Sequence, residues 1–261
     1  MQIINKNINS IKTAIFDFDG TVSTLREGWE EIMQPLMLSL ISPDKEPSKE
    51  LIKEVQSYID ESTGIQTVFQ MQWLSKRVEQ STGILLDEWW YKDQYNDHLL
   101  QMVEKRIDKI KTGKKEAEDF RIAGSLEFFK QLHSKGIKVY IASGTDDIDL
   151  QKEIEILGIA PYIEKACGAP HREASCPKEK VISDLLNDPE LLANEIVVIG
   201  DGKVEIMLAK ESGALAIGTA TDEKQRKGIN QQKQQKLIKA GADCITGDFL
   251  ELDGLLSYLN I

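Results

Sequence analysis

Beyond Phe120 the chain alternates short apolar segments with amphipathic segments that end at glycine, and this alternation limits the possible folds more than any other feature of the sequence. Ile137–Ala142 and Glu195–Ile199 have the composition of buried strands, and residues 125–135 show helical periodicity before Gly136. Strands that alternate with helices favour right-handed crossovers and a parallel sheet covered by helices on both faces. The sequence therefore predicts an α/β fold.

The first strong strand pattern lies far from the others. Ile11–Phe18 is apolar and ends at the turn signal Asp19-Gly20. Between this strand and Phe120 the sequence shows only helical periodicity, and this stretch contains all four tryptophans. We therefore expect a helical cap, residues 22–120, inserted after the first strand of a core that comprises residues 1–21 and 121–261.

Charge and composition exclude several classes of protein. The chain has 32 Lys and Arg against 43 Asp and Glu, a net charge of −11, which argues against nucleic acid as the main partner. No apolar run approaches the roughly 20 residues that cross a bilayer, and the first ten residues do not resemble a secretion signal. Three cysteines, an odd and sparse set, suit reduced thiols. We therefore expect a cytoplasmic protein without a membrane or nucleic-acid partner, whereas the oligomeric state is left open.

Two of the cysteines raise the question of a zinc site. Cys167, His171 and Cys176 lie close together in the sequence. They offer only three ligands, whereas a structural zinc site takes four. We therefore interpret them as ordinary loop residues.

Polar residues follow three of the predicted strands. Asp17 and Asp19 follow the first, Ser143 and Gly144 the second, and Asp201 the strand near residue 199. Ligands of open parallel sheets bind at the carboxyl ends of the strands, so these groups should meet. Asp17 and Asp19 would point the same way, and two like charges there require a counter-charge. Their oxygens and those of Asp201 are the ligands that Mg²⁺ prefers, so the sequence predicts a magnesium site.

Lys178 gives a second indication of an anionic ligand. It follows Pro177, a residue favoured at the first position of a helix. A lysine in the first turn opposes the helix dipole, whose positive end lies there. An anion bound at the helix start would account for this arrangement, although a solvated lysine is the simpler interpretation of the residue by itself.

Taken together, these residues resemble the haloacid dehalogenase-like superfamily in order and spacing. The matching positions are Asp17-Phe18-Asp19-Gly20-Thr21, Ser143, Lys178, and Gly200-Asp201 with Glu205, which stands where Asp is commoner. The resemblance covers a whole Rossmann-like core, and the helical insert is similar to the first type of cap in that superfamily. Retention of Asp19 points to phosphoryl transfer rather than dehalogenation, and the layout looks like the phosphoglycolate phosphatase and β-phosphoglucomutase group.

The resemblance implies a role for each matching residue. Asp17 would be the nucleophile and Asp19 the general acid and base. Mg²⁺ would be held by Asp17, by the backbone carbonyl of Asp19 and by Asp201, with Glu205 orienting a water. The expected phosphate-binding groups are Ser143, Gly144, Lys178 and Thr21, of which Thr21 would also support the first loop. Lys180 or Lys165 could take the place of Lys178.

The cap should close over the site and select the substrate. Arg26 follows the first motif closely and could contact an anionic substrate, although a solvated linker arginine fits equally well. Gly64 interrupts the helical pattern between two helices, so Gly64, Gln66 and Thr67 are further candidate substrate contacts. The polar segment 221–240 is interpreted as plain solvated surface, although it could also border the site or a partner.

The sequence thus predicts a Mg²⁺-dependent phosphatase that acts on a small phosphorylated metabolite, such as a sugar phosphate, through an aspartyl-phosphate. A phosphomutase on the same scaffold is the first alternative, because Asp19 can act as acid and base in both. A catalytically silent binding or regulatory protein is the second. The substrate is not identified by any pattern in the cap.

Overall fold

The computed structural model describes residues 1–6, 9–175 and 177–261, so Cys176 and with it the possible zinc site lie outside the described residues. Seven strands in these residues form one sheet in the order β1-β7-β6-β5-β2-β3-β4. The strands are β1 (Gln2–Ile3), β2 (Thr13–Phe16), β3 (Lys138–Asp146), β4 (Lys165–Ala169), β5 (Ile196–Gly200), β6 (Leu215–Thr219) and β7 (Cys244–Thr246). Every neighbouring pair is parallel except β1 and β7, which confirms the predicted parallel sheet.

The central position of β2 follows from its sequence. All four of its residues are buried, as expected for a strand flanked on both edges and covered on both faces. Its neighbours are β3 and β5, so the segments that follow these three strands lie side by side at one edge of the sheet. This topology brings the first motif, Ser143 and Asp201 to the same place.

Helices cover both faces of the sheet. They are α5 (Ser125–Ser134), α6 (Asp147–Ile156), α7 (Pro177–Leu186), α8 (Lys203–Ser212), α9 (Gln231–Ala240) and α10 (Leu252–Tyr258). Because side chains alternate along a strand, Ala14 and Phe16 of β2 pack into one hydrophobic cluster and Ile15 into another. On the first face the Phe16 ring lies 4.7 Å from that of Phe129. The predicted two-layer covering of the sheet is confirmed.

Four helices lie between β2 and α5 in the chain: α1 (Glu30–Ile41), α2 (Lys49–Glu61), α3 (Thr67–Thr82) and α4 (Glu88–Lys111). Ser48 caps α2 by accepting from the Leu51 N–H, and Asp87 caps α4 by accepting from the Trp89 N–H. These four helices and the loops that join them are called the helical cap. The division into folding units at residues 21 and 121 stays a prediction. Among the described residues, no helix has both the length and the apolar character to cross a bilayer.

The two connections between the sheet and the helical cap run side by side. The Ile122 N–H donates to the Val22 carbonyl at 2.9 Å, and the Thr24 N–H donates to the Phe120 carbonyl at 2.8 Å. Arg106 of α4 also donates to the carbonyl of Leu25 at 2.9 Å. The entry and exit of the cap are therefore joined to each other by backbone hydrogen bonds.

Candidate active site

Three carboxylates converge at the carboxyl edge of the sheet. Asp17 follows β2, Asp201 follows β5, and Glu205 lies in the first turn of α8, and one oxygen of each lies within 4.8 Å of the others. Glu205 is fixed by its own helix, because its Oε1 accepts from the Gly202 N–H at 2.6 Å. The close approach of like charges requires a cation.

Lys178 supplies one cation to this cluster. Its Nζ lies 3.0 Å from Asp17 Oδ1 and 3.0 Å from Glu205 Oε2, and the residue is only 4% exposed. Burial by itself disfavours the ammonium, but these two carboxylates outweigh it and raise the pKa of Lys178. Lys180 and Lys165 are exposed. The structure therefore brings Lys178, rather than either alternative, to the carboxylates.

Asp19 lies beside the cluster and is held by β3. Its Oδ2 accepts from the Thr145 hydroxyl at 2.6 Å. Among the described residues, no group donates to its Oδ1, which is buried; the nearest cation, Arg26 Nε, is 3.9 Å away. Burial raises the pKa of Asp19, opposed by Arg26 and by the Thr145 hydrogen bond. A carboxyl group with a raised pKa keeps its proton at a higher pH than usual and is therefore suited to donate it.

Gly20 is required by the close approach of Asp201. Gly20 has a φ of +75°, and a Cβ atom built on it would lie 2.3 Å from Asp201 Oδ2. Both the left-handed backbone and the missing side chain are properties of glycine. The first motif therefore packs directly against the carboxylate that follows β5.

The donor set fits a divalent cation of the Mg²⁺ type. Asp17, Asp201 and Glu205 offer hard carboxylate oxygens. Burial raises the pKa of Asp17 well above its usual 3.8; Lys178 opposes this shift and the neighbouring carboxylates reinforce it. Lys178 and Lys233, whose Nζ lies 2.6 Å from Asp201 Oδ2, supply two positive charges against these three carboxylates, so the cluster has room for a further positive charge.

Ser143 and Gly144 lie in the last part of β3 and line a cleft between the sheet edge and the cap. The cleft opens to solvent and encloses, together with part of that solvent, about 820 Å³ not filled by protein atoms. A Cβ on Gly144 would lie 3.2 Å from the Ile65 carbonyl, so the cap backbone packs directly on this segment. Thr21 is fully buried and is not among the residues that line the cleft, so its role in phosphate binding stays a prediction.

The candidate substrate contacts of the cap divide into two groups. Gly64 and Thr67 line the cleft, and the Gly64 carbonyl accepts from Lys178 Nζ at 3.3 Å. Gln66 does not line it, because its amide donates to the Glu173 carbonyl at 2.8 Å and accepts from the Ser175 N–H at 2.9 Å. Gln66 thus links the cap to the loop before α7 by hydrogen bonds. The glutamine that lines the cleft is Gln70 rather than Gln66.

Arg26 lines the cleft, but its charge is already engaged. Its Nη2 lies 2.7 Å from Oε1 of Glu153, a buried residue of α6, and 3.7 Å from Asp149. The predicted alternative of a solvated linker arginine is wrong, because the residue is 9% exposed. An anionic substrate would have to compete with Glu153 for this guanidinium.

Two residues of segment 221–240 border the site, as the alternative interpretation of this segment allowed. Lys233 of α9 lies 2.6 Å from Asp201 Oδ2 and 2.5 Å from Glu223 Oε1, and both Lys233 and Glu223 line the cleft. The interpretation of this segment as plain solvated surface is wrong for these two residues. The sequence feature that indicates this placement is the position of the segment after β6, because the carboxyl end of β6 lies at the same sheet edge as the motifs.

The chain combines a mostly parallel sheet covered by helices, a helical insert and a carboxylate cluster at the carboxyl edge of the sheet. A family model, haloacid dehalogenase-like hydrolase, matches residues 14–219. The chain therefore belongs to the haloacid dehalogenase-like hydrolase family, whose members generally use Mg²⁺.

Solved structures share this fold over nearly their whole length. A protein described as a predicted phosphoglycolate phosphatase from Haemophilus somnus is 14% identical, with a TM-score of 0.63 over 95% of this chain and 99% of that chain. A β-phosphoglucomutase from Clostridium difficile is 13% identical, with a TM-score of 0.65 over 96% and 97%. A predicted phosphatase from Clostridium acetobutylicum is 17% identical, with a TM-score of 0.62 over 95% and 100%. No curated protein matches the chain.

Proposed function

We propose that this protein is a Mg²⁺-dependent phosphatase that hydrolyses a small phosphorylated metabolite through an aspartyl-phosphate. The observation that carries the proposal is the buried group of Asp17, Asp201, Glu205 and Lys178 at one sheet edge, with Asp19 beside it. The similarity to phosphatase structures supports it. The sparse cysteines support a cytoplasmic location, and the net charge of −11 supports a small-molecule substrate rather than nucleic acid.

The first half-reaction uses the two aspartates of the first motif. An Asp17 oxygen attacks the phosphorus, and a bond from that oxygen to phosphorus forms while the ester bond to the leaving group breaks. Asp19 gives its proton to the departing alkoxide, for which its raised pKa is suited. Ser143, the Gly144 N–H and Lys178 bind the transferring oxygens, whose charge they stabilise.

The second half-reaction regenerates the enzyme. Asp19, now ionised, takes a proton from a water that attacks the phosphorus, and the bond to Asp17 breaks to release phosphate. Asp17, the Asp19 carbonyl and Asp201 would hold Mg²⁺, with Glu205 beside them. The ion reduces the repulsion between the anionic nucleophile and the anionic phosphate. The cap, packed on Gly144 through the Ile65 carbonyl, excludes bulk water during both steps.

Phosphate release from a panel of sugar phosphates, with and without Mg²⁺, tests the proposal. Asp17→Asn should abolish release and leave the circular dichroism spectrum unchanged, whereas Asp184→Asn, at an exposed position of α7, should match the wild type. Retained activity in the Asp17→Asn variant would refute the assignment of the nucleophile.

A phosphomutase is the second candidate, because the C. difficile β-phosphoglucomutase covers 96% of this chain with the same fold. Isomerisation of a sugar phosphate without phosphate release would favour it. Neither release nor isomerisation would favour a silent binding protein.

A further inference from the structure

We infer that the substrate carries no anionic group besides the phosphate that is transferred, and that the cleft favours a leaving group with a positively charged amine. The inference rests on the proposed function, because it assumes that the phosphate lies against Asp17, Ser143 and Lys178. The remainder of the substrate then faces the part of the cleft that is lined by the cap, by residues 26–30 and by α9. The charges of that part decide which leaving groups are accepted.

The loop before α3 and helices α3 and α4 contribute no charge to this wall. Among the described residues, seven between 63 and 99 line the cleft, and all seven are uncharged; they include Thr67, Gln70 and Tyr95. These side chains offer hydroxyl, amide and aromatic groups, which suit a hydroxylated leaving group. A second phosphate or a carboxylate would find no cation on this side.

The cations elsewhere in the cleft are already ion-paired. Of the described lining residues, three are basic, and each lies within 3.0 Å of at least one carboxylate oxygen. The pairs are Arg26 with Glu153 at 2.7 Å, Lys178 with Asp17 and Glu205 at 3.0 Å, and Lys233 with Asp201 at 2.6 Å and Glu223 at 2.5 Å. A second anion on the substrate would have to break one of these pairs.

A carboxylate, by contrast, remains available. Glu27 and Glu30 line the cleft on either side of Trp29; Glu27 lies 3.4 Å from Arg106 Nη2, whereas Glu30 forms no ion pair with any described residue. Of the described lining residues, six carry a carboxyl group and three are basic, so acidic groups outnumber cations in the cleft. A cleft with this balance attracts cationic groups and repels anionic ones. Trp29 and Tyr95 also line the cleft, and aromatic rings attract ammonium groups.

The same balance bears on the mutase alternative. A mutase that moves a phosphoryl group within a sugar phosphate must hold a second phosphate in the cleft. The uncharged lining residues between 63 and 99 and the paired cations provide no partner for this second phosphate. The inference therefore favours hydrolysis of the substrate over isomerisation of a sugar phosphate through a bisphosphorylated sugar.

Three esters of equal length test the inference: 2-aminoethyl phosphate, 2-hydroxyethyl phosphate and phosphoglycolate, which differ only in the charge of the leaving group. With Mg²⁺, we expect kcat/KM to fall in that order, by about tenfold or more from the amine to the carboxylate. Glu30→Gln should narrow this ratio, whereas Glu31→Gln, an exposed residue outside the cleft, should leave it unchanged. Equal or faster hydrolysis of phosphoglycolate than of 2-hydroxyethyl phosphate would overturn the inference.

Failure of the proposed function gives a different result. It would appear as no phosphate release from these esters or from p-nitrophenyl phosphate with Mg²⁺. Binding of the same three esters to the wild-type protein, measured by calorimetry, then still tests the inference. The amine bound most tightly supports it, and the carboxylate bound as tightly as the neutral ester contradicts it.

Discussion

Lys178→Met would remove the ammonium from the carboxylate cluster and keep the volume of the side chain. Lys178 lies 3.0 Å from both Asp17 and Glu205, and all three residues are buried. Without the ammonium, carboxylates within 4.8 Å of one another repel across a poorly solvated space. The variant should therefore be less stable, and it should depend on a divalent cation for part of its stability.

The structure sets the size of the effect. For two unit charges 4.8 Å apart, an effective dielectric constant of about 20 gives a repulsion of about 3.5 kcal/mol. Removal of one partner from a buried ion pair typically costs about 3–5 kcal/mol. We therefore expect the free energy of unfolding to fall by about 3–4 kcal/mol without Mg²⁺, and added Mg²⁺ to restore more stability in the variant than in the wild type.

Urea unfolding followed by circular dichroism, with and without Mg²⁺, measures both effects. Lys180→Met is the matched control, because Lys180 is on the same helix but exposed, and its effect should be within about 0.5 kcal/mol. An unfolding midpoint of Lys178→Met equal to that of the control would refute the reasoning. So would an equal gain from Mg²⁺ in the variant and the wild type.

Three further predictions follow from the site. Gly20→Ala places a Cβ atom 2.3 Å from Asp201 Oδ2, and it should reduce kcat/KM by at least about tenfold, whereas Gly83→Ala, with the same φ of +75° and open space around it, should reduce stability and leave kinetics intact. Thr145→Val removes a hydrogen bond to the proposed acid–base carboxylate, so kcat should fall by about tenfold at constant KM; an unchanged kcat would contradict this role. Burial raises the pKa of Glu153 from 4.5 to about 7. The folded protein then binds more protons than the unfolded chain in this interval, so the free energy of unfolding should fall as the pH rises from about 5 to about 8. Urea titrations should show this fall in the wild type, and Glu153→Gln should make it smaller; an equal fall in the variant would contradict the contribution of Glu153.

The periodicity of the sequence was sufficient to predict the sheet, its parallel character and the helical insert. Strand and helix patterns are local, and the expected strands Ile137–Ala142 and Glu195–Ile199 overlap the observed β3 and β5. The two-residue strand β1 was not predicted, because its exposed pair of residues leaves no pattern of burial. The strand order also depends on pairing between distant segments, which local patterns do not record.

Side-chain partners within the site were harder to predict. Lys233 belongs to a polar helix, and its composition does not show that this one lysine faces Asp201. Arg26 and Gln66 were expected to contact substrate, yet a buried carboxylate of α6 engages the first and a backbone segment before α7 engages the second. These partners are more than 100 residues away in the chain, and no local pattern indicates them.

The hydrogen bonds that join the two connections, between Val22 and Ile122 and between Thr24 and Phe120, have a consequence for how such proteins can be diversified. Because the departing and returning chain are joined there, the two ends of the helical segment stay together whatever lies between them. We therefore predict that helices between residues 24 and 120 can be replaced while β2 and its aspartates stay in place, provided that the contacts of Arg26 with Glu153 and of Gln66 with the Glu173 carbonyl are kept.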